Sequence, residues 1–349
     1  MTKKKIRVAV LFGGKSAEHE VSLESAKSII TAINKNKYEV VLISINKTGQ
    51  WLLGNGRTLI IDKSKRVALI PQSERQLSTQ DKNLSVDVVF PVLHGPFGED
   101  GTVQGLLKLA NVPFVGAGVL GSAVGMDKDV MKRLLRDADI PIAKFQAFTK
   151  EKKINFSKIK KELGLPLFVK PANMGSSIGV TKVKSEREFK KAIKEALQFD
   201  SKVLIEEAIN GREIEVAVLG NEKPIVSIVG EIKPKDTFYT YKAKYTKGFL
   251  EVEIPAKIPQ SLKRSAQQLA LKAYRTLCVE GMARVDMFLK KDGSFFVNEL
   301  NTIPGFTSES VYPKLWQASG VSYSELIDRL IALAIKRFER EKKLKTSHV

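Results

Sequence analysis

The order of apolar runs predicts an α/β fold that becomes α+β toward the C-terminus. Three observations carry this. Short apolar runs alternate with helical patterns through the first third of the chain. A strand–helix–strand unit in the middle surrounds a glycine-rich turn, and the last part is rich in strands. Strands alternating with helices imply βαβ units and a parallel sheet. The 349 residues are also more than one domain usually holds.

In the first third, residues 6–12 read as a buried strand, 21–33 as an amphipathic helix and 38–45 as a second strand. Residues 86–93 read as a strand, 102–109 as a helix and 112–115 as a further strand. Residues 63–84 are polar and weakly patterned, so a long surface connection is expected there. A helix over 128–138 leads to Pro141, which marks a boundary. Residues 145–209 then give strand, helix, strand (167–170), glycine-rich turn, strand (180–183), helix (186–197) and strand (203–207). Beyond Gly211 come strands over 213–219, 225–232, 284–289 and 295–300, with helices near 261–277 and 324–338. The expected domains are 1–125, 126–210 and 211–349.

Composition excludes little. Cys278 is the single cysteine, so no intramolecular disulfide forms, which fits a reducing compartment. The start, Lys3-Lys4-Lys5 before the apolar run 6–12, resembles a short signal peptide. However, Gly13-Gly14-Lys15 follows it instead of a small-residue cleavage site. No apolar run is long enough to span a bilayer, and a soluble cytoplasmic protein is expected. The formal charge of +20 would suit an anionic partner such as a nucleotide or nucleic acid. The lysines are scattered along the chain, though, and no nucleic-acid reader motif accompanies them.

Chemistry is concentrated in four segments. Arg284-Val285-Asp286 and Asn298-Glu299-Leu300-Asn301 lie on two apolar runs joined by Lys290-Lys291-Asp292-Gly293, and Asp-Gly between strands is a strong hairpin signal. Side chains two apart share one face of a strand. If the two faces coincide, Asp286, Glu299 and Asn301 converge as hard oxygen ligands beside a guanidinium, which suits Mg²⁺ bridging phosphate oxygens. The bland alternative is a polar face of an edge hairpin. Lys170-Pro171-Ala172-Asn173-Met174-Gly175-Ser176-Ser177-Ile178-Gly179 places a lysine at a strand end before a flexible turn, where backbone N–H groups can approach phosphate; an ordinary hairpin loop is the alternative. His94-Gly95-Pro96-Phe97-Gly98-Glu99-Asp100-Gly101 and the segment 13–20, with Glu18, both follow strands, where ligands of open α/β sheets collect. There Glu99 or Asp100 could simply cap a helix, His94 could be a packed histidine, and Glu18 could be a helix-start acid.

Two motifs mislead. Gly14-Lys15-Ser16 resembles the end of a Walker A loop, but Ala9 stands where its first glycine is required. Gly116-Ala117-Gly118-Val119-Leu120-Gly121 matches a dinucleotide-binding fingerprint and would support a dehydrogenase. The first βαβ unit lies far upstream of it, and Asp137 and Asp139 end a helix rather than a second strand.

Taken together, these segments resemble the D-alanine–D-alanine ligase family of the ATP-grasp superfamily. The run 94–105 reproduces the family's first signature. The run 277–305 follows the second, with Arg284, Asp286, Glu299, Asn301, Pro304 and Gly305 in place and Val297 slightly off pattern. Residues 13–22 are similar to the family's N-terminal loop. The resemblance covers nearly the whole chain in the right order. It implies an ATP-grasp fold preceded by a Rossmann-like N-terminal domain. The implied activity is ATP-dependent joining of two D-alanines through D-alanyl phosphate, for peptidoglycan precursor synthesis.

The resemblance also implies roles. Lys128, Lys170 and the loop Gly175, Ser176 and Ser177 would contact ATP phosphates, with Lys244 also at the nucleotide. Glu206 and the backbone of Glu207 and Ile209 would hold adenine, and Glu213 the ribose. Asp286, Glu299 and Asn301 would bind two Mg²⁺ (or Mn²⁺). Glu18 would orient the ammonium of the first D-alanine, with His94, Arg284, Gly305, Ser310 and Val311 completing the substrate site and Ser310 contacting the carboxylate of the second. Glu18, Ser176 and Tyr245 would fasten a lid over residues 235–248, and with Arg284 and His94 they form the expected catalytic set. Thr240 and Lys242 depart from the acidic residues common in the lid, while Lys244 and Tyr245 go with an amine, not a hydroxy acid, as second substrate. Ala208 replaces a frequent aromatic near adenine. The family also implies a homodimer, and no membrane or nucleic-acid partner.

Overall fold

The computed structural model describes residues 4–54, 61–69, 76–79, 83–152, 154–234 and 250–345. The expected lid at 235–248, with Thr240, Lys242, Lys244 and Tyr245, lies outside the described residues.

Among the described residues the chain builds three sheets. The first holds β1 (Ile6–Gly13), β2 (Tyr38–Ile45), β3 (Trp51–Gly54), β4 (Ile61–Leu69), β5 (Gln76–Thr79), β6 (Asn83–Ser85) and β7 (Val88–Val92), in the order β6-β5-β4-β3-β2-β1-β7. Strand β1 runs parallel to β2 and β7, and Val8 to Phe12 are completely buried, so the central strand reads as a continuous apolar run. Helices α1 (His19–Ala32) and α2 (Thr102–Leu109) accompany this parallel core.

The structure corrects two expectations here. The segment 63–84 is no plain surface connection: β4, β5 and β6 extend the sheet as an antiparallel ribbon, which makes the sheet mixed. Its signal is faint because strand alternation is brief, with Val67 buried between exposed Arg66 and Ala68. Residues 112–115 supply only an isolated bridge from Phe114 to Val89 rather than a full strand.

The second sheet, ordered β10-β9-β11-β8, is antiparallel. It holds β8 (Phe145–Thr149), β9 (Leu167–Pro171), β10 (Thr181–Val183) and β11 (Lys202–Glu207). Helices α5 (Phe156–Leu163) and α6 (Glu186–Ala196) cover one face, capped by Asn155 and Ser185 through the amides of Lys158 and Glu188. Phe189 of α6 packs with Leu167, Val169, Val203 and Ile205.

The third sheet, ordered β14-β13-β12-β15-β16, is also antiparallel. Its strands are β12 (Arg212–Gly220), β13 (Ile225–Pro234), β14 (Leu250–Glu253), β15 (Gly281–Leu289) and β16 (Phe295–Asn301). Helix α4 (Lys128–Asp137) packs Met131 and Leu135 into the core of this sheet, beside Ala266, Ala270, Ala273 and Tyr274 of α7 (Gln260–Thr276). Helix α3 (Val119–Met126) joins α2 to α4. Helices α8 (Val311–Ala318) and α9 (Tyr323–Lys342) fill the space between the first and third sheets, where Tyr312, Trp316, Leu326 and Ile327 share one cluster with Val8, Val10 and Ala217. Arg337 of α9 ties the two together by donating to the carbonyls of Gly116 and Phe114 at 2.5 and 2.8 Å. The loops after β1, β7, β9 and β16 thereby reach a common region.

Candidate active site

The hairpin of β15 and β16 pairs Arg284 with Asn301 and Asp286 with Glu299, so all four side chains share one face. That outcome needs a device the sequence pattern does not announce. Phe295 and Val297 face the core, and strict alternation would turn Glu299 inward as well. Instead the register shifts between Asp286 and Met287, so that Asn298 is an extra residue on β16. This bulge reverses the phase: Leu300 is buried, and Glu299 and Asn301 turn outward beside Asp286.

Asp286, Glu215 and Glu299 each meet a cation on this face. Arg284 donates to both oxygens of Asp286, at 2.7 and 2.6 Å, and lies 3.0 Å from Glu215 on the neighbouring β12. Burial works against the guanidinium charge, but Asp286 and Glu215 outweigh it and hold Arg284 firmly protonated. Asn301 Nδ2 donates to Asp286 at 2.9 Å. Lys128 Nζ lies 3.5 Å from Glu299 and donates to the Met174 carbonyl at 2.8 Å.

Lys128 opens α4, whose N-terminus is set by Asp127. The Asp127 carboxylate accepts the Asp129 and Val130 amides while Lys202 of β11 grips it at 2.8 and 2.6 Å. One turn further along, Lys132 lies on the same face as Lys128. Its side chain is wholly enclosed and sits 3.3 Å from Glu206, which Lys170 approaches from the other oxygen at 2.8 Å. Lys132 went unnoticed in the sequence, where its four-residue spacing from Lys128 on an otherwise apolar helix face was the available signal.

The glycine-rich loop carries Ser176 and Ser177 with φ of +51° and +59°, a left-handed conformation that costs energy for residues with a Cβ. Ser176 Oγ donates to Glu18 Oε1, joining this loop to the start of α1. Glycine is required around that carboxylate: a Cβ on Gly95 would stand 2.9 Å from Glu18 Oε2.

His94 is buried with both ring nitrogens engaged, Nδ1 with the Ile303 carbonyl at 3.1 Å and Nε2 with Ser25 Oγ at 3.3 Å. Glu99 holds the other end of the same residue, accepting the Ile303 amide at 3.1 Å, and also accepts the Gly95 amide at 2.8 Å. Ser310 Oγ accepts the Thr307 amide at 3.0 Å and faces Gly305, just before Val311 opens α8.

A cleft of about 590 Å³ opens between the second and third sheets. Of the expected residues, Lys128, Lys170, Gly175, Ser177, Glu206, Glu207, Ile209, Glu213, Arg284, Asp286 and Glu299 line it. Glu18, Ser176, His94, Asn301, Gly305, Ser310 and Val311 are not part of that lining. Glu18 and Ser176 adjoin it at Gly175, and Asn301 touches Asp286 from its floor. In the run 116–121, Gly121 serves packing, since a Cβ there would meet the Cys278 carbonyl at 2.8 Å.

Comparison with known proteins shows the family. Family models described as the D-ala D-ala ligase N-terminus and C-terminus match residues 7–117 and 134–332. A D-alanine–D-alanine ligase of Shouchella clausii is 54% identical over 98% of each chain. Among solved structures, the D-alanine–D-alanine ligase of Coxiella burnetii superposes with a TM-score of 0.89 at 37% identity, over 98% of this chain and 97% of that one. The Bacillus anthracis ligase complexed with ATP gives 0.76 at 30% identity, over 96% and 99%.

Glu99 yields a pH prediction. Burial first, then the charge of Glu18, push its carboxyl from 4.5 up to about 8, against the two backbone amides and Lys128. A folded value above the unfolded one means that the unfolded chain ionises first. The contribution to stability is therefore complete below about pH 4.5 and lost as pH rises through 8. Replacing Glu99 with Gln should flatten the fall in urea-unfolding midpoint between pH 5 and 8. Parallel curves for the two proteins would contradict the assignment.

Proposed function

We infer the division of labour in this site from one premise: the chain belongs to the D-alanine–D-alanine ligase family and joins two D-alanines, with the use of ATP, into D-alanyl-D-alanine. The observation that carries the reading is the face of β15 and β16, where Arg284, Asp286 and Glu299 line the cleft and Asn301 stands beside them on the same face.

A carboxylate is a poor acylating agent, so an oxygen of the first D-alanine takes the γ-phosphoryl group and ADP leaves. The amine of the second D-alanine then attacks the carbonyl of D-alanyl phosphate, the C–O bond to phosphate breaks, and the peptide forms with loss of a proton from nitrogen. Phosphoryl transfer rests on positioning and on neutralising charge. Lys128, Lys170 and the loop amides at Gly175, Ser176 and Ser177 supply both to the phosphates. Glu206, with the backbone of Glu207 and Ile209, receives adenine, and Glu213 the ribose. Glu18, held by Ser176, orients the first ammonium, and Arg284 balances charge at the reacting carboxyl. His94 acts on this region through the Ile303 peptide it grips. Gly305, Ser310 and Val311 receive the second carboxylate at the start of α8.

Asp286, Glu299 and Asn301 fit two Mg²⁺ or Mn²⁺ ions, because Mg²⁺ takes one or two carboxylates and completes its shell with phosphate and water. Bound there, the ions would neutralise charge on the transferring phosphoryl group.

We place the reaction in the cytoplasm, where ATP is available. Among the described residues no helix is long and apolar enough to cross a membrane. A homodimer fits the surface of the three consecutive helices α2, α3 and α4, which expose Leu109, Leu120 and Leu134 at 67%, 59% and 37%.

Two outcomes follow. Asp286→Asn should lower D-alanyl-D-alanine formation by roughly 10²–10³-fold in a protein that still folds; undiminished product would remove Asp286 from the site. Sedimentation should find a dimer that a paired Leu109→Glu, Leu120→Glu change dissociates. A monomeric parent protein would end the dimer proposal.

A further inference from the structure

The cleft contains one charge that no nucleotide can touch. Lys132 does not line the cleft, and its side chain has no exposed surface, yet it points at Glu206 from behind. Lys132 Nζ and Glu206 Oε1 lie 3.3 Å apart, and among the described residues neither atom has a hydrogen-bonding partner. Lys170 holds the opposite oxygen, at 2.8 Å, from the cleft wall. One buried carboxylate thus has two ammonium partners, one internal and one facing the ligand.

Burying an ammonium is costly, so a second cation on a single carboxylate needs a reason. If Glu206 had only Lys170, drawing that lysine toward a triphosphate would strand an uncompensated buried charge. Nucleotide binding would then be weakened by that penalty. With Lys132 behind it, Glu206 keeps a partner throughout. Burial favours a neutral Glu206, but the two lysines outweigh it and hold the carboxyl below its ordinary range. Burial pushes the Lys132 ammonium down to about 8, with Glu206 resisting and Lys170 adding to the shift, so it stays protonated at neutral pH.

We propose that Lys132 is a positioning residue, a resident counter-ion that keeps Glu206 charged and in place so that Lys170 can leave it for the nucleotide phosphates. This rests on the reading of Glu206 as the adenine acceptor and Lys170 as a phosphate ligand.

The test is steady-state kinetics of the full chain with Lys132→Met, which preserves length and apolar bulk. The KM for ATP should rise about tenfold or more, with kcat within about twofold and the KM for D-alanine unchanged. The preference for ATP over inosine triphosphate should fall as well, because a displaced or neutral Glu206 no longer selects the 6-amino group. A loss confined to kcat, with both KM values unchanged, would mark a structural role and overturn the proposal. Glu206→Gln separates the two levels. If it abolishes the preference for ATP while Lys132→Met leaves the KM for ATP untouched, the counter-ion role fails and the adenine reading stands. If Glu206→Gln leaves the preference intact, the adenine reading fails. A crystal structure of the parent protein with ADP covers the case of a variant that does not fold. Lys170 should have moved off Glu206 with Lys132 still beside it; a retained Lys170–Glu206 pair would overturn the proposal.

Discussion

A single extra residue on an edge strand decides whether this molecule has an active site. Asn298 bulges from β16, and the bulge lets one short strand serve two masters. Before it, Phe295 and Val297 fill the core; after it, Glu299 and Asn301 face the cleft while Leu300 returns inward. Without the phase change, Glu299 would be driven into an apolar interior, and Asp286 would have no carboxylate opposite it. The remaining architecture supports this face. Helix α7 backs the sheet with small residues, β12 adds Glu215 beside Arg284, and α4 brings Lys128 to Glu299.

The resting site is electrically balanced by its own side chains. Asp286 is held by Arg284, Glu299 by Lys128, and Glu206 by Lys170 and Lys132. On the proposed reading, these cations stand where metal ions and phosphates would bind, and ligand binding becomes an exchange of partners. Such a site pairs these carboxylates with cations before any substrate binds. It also links two sheets that have no strands in common, since α4 is anchored to the second sheet through Lys202 and Asp127 and packs into the core of the third.

Much of this was legible in the sequence, for physical reasons. The Asp-Gly turn announced the hairpin, and the i, i+2 spacing of Arg284 with Asp286 placed them together. The turn from Lys170 to Gly179 and the loops after β1 and β7 stood out because glycine and polar residues interrupt apolar runs. What stayed hidden was tertiary. The bulge at Asn298 leaves no local signature, because Asn298 is an unremarkable polar residue there. Strands β4 to β6 pair antiparallel at a sheet edge, a long-range pairing that a short polar segment does not announce. Phe114 forms only a bridge although 112–115 is apolar enough for a strand. Lys132 and Glu99 looked like ordinary helix and loop charges, and only the packing shows that Lys132 is enclosed and that Glu99 binds the Gly95 and Ile303 amides.

The most direct test is the position of divalent ions in crystals of the protein grown with ADP and Mn²⁺, read from anomalous scattering. Mn²⁺ should lie at about 2.1 Å from oxygens of Asp286, Glu299 and Asn301, with the Arg284–Asp286 pair opened. Manganese bound elsewhere, with the Arg284–Asp286 and Lys128–Glu299 pairs intact, would contradict this placement.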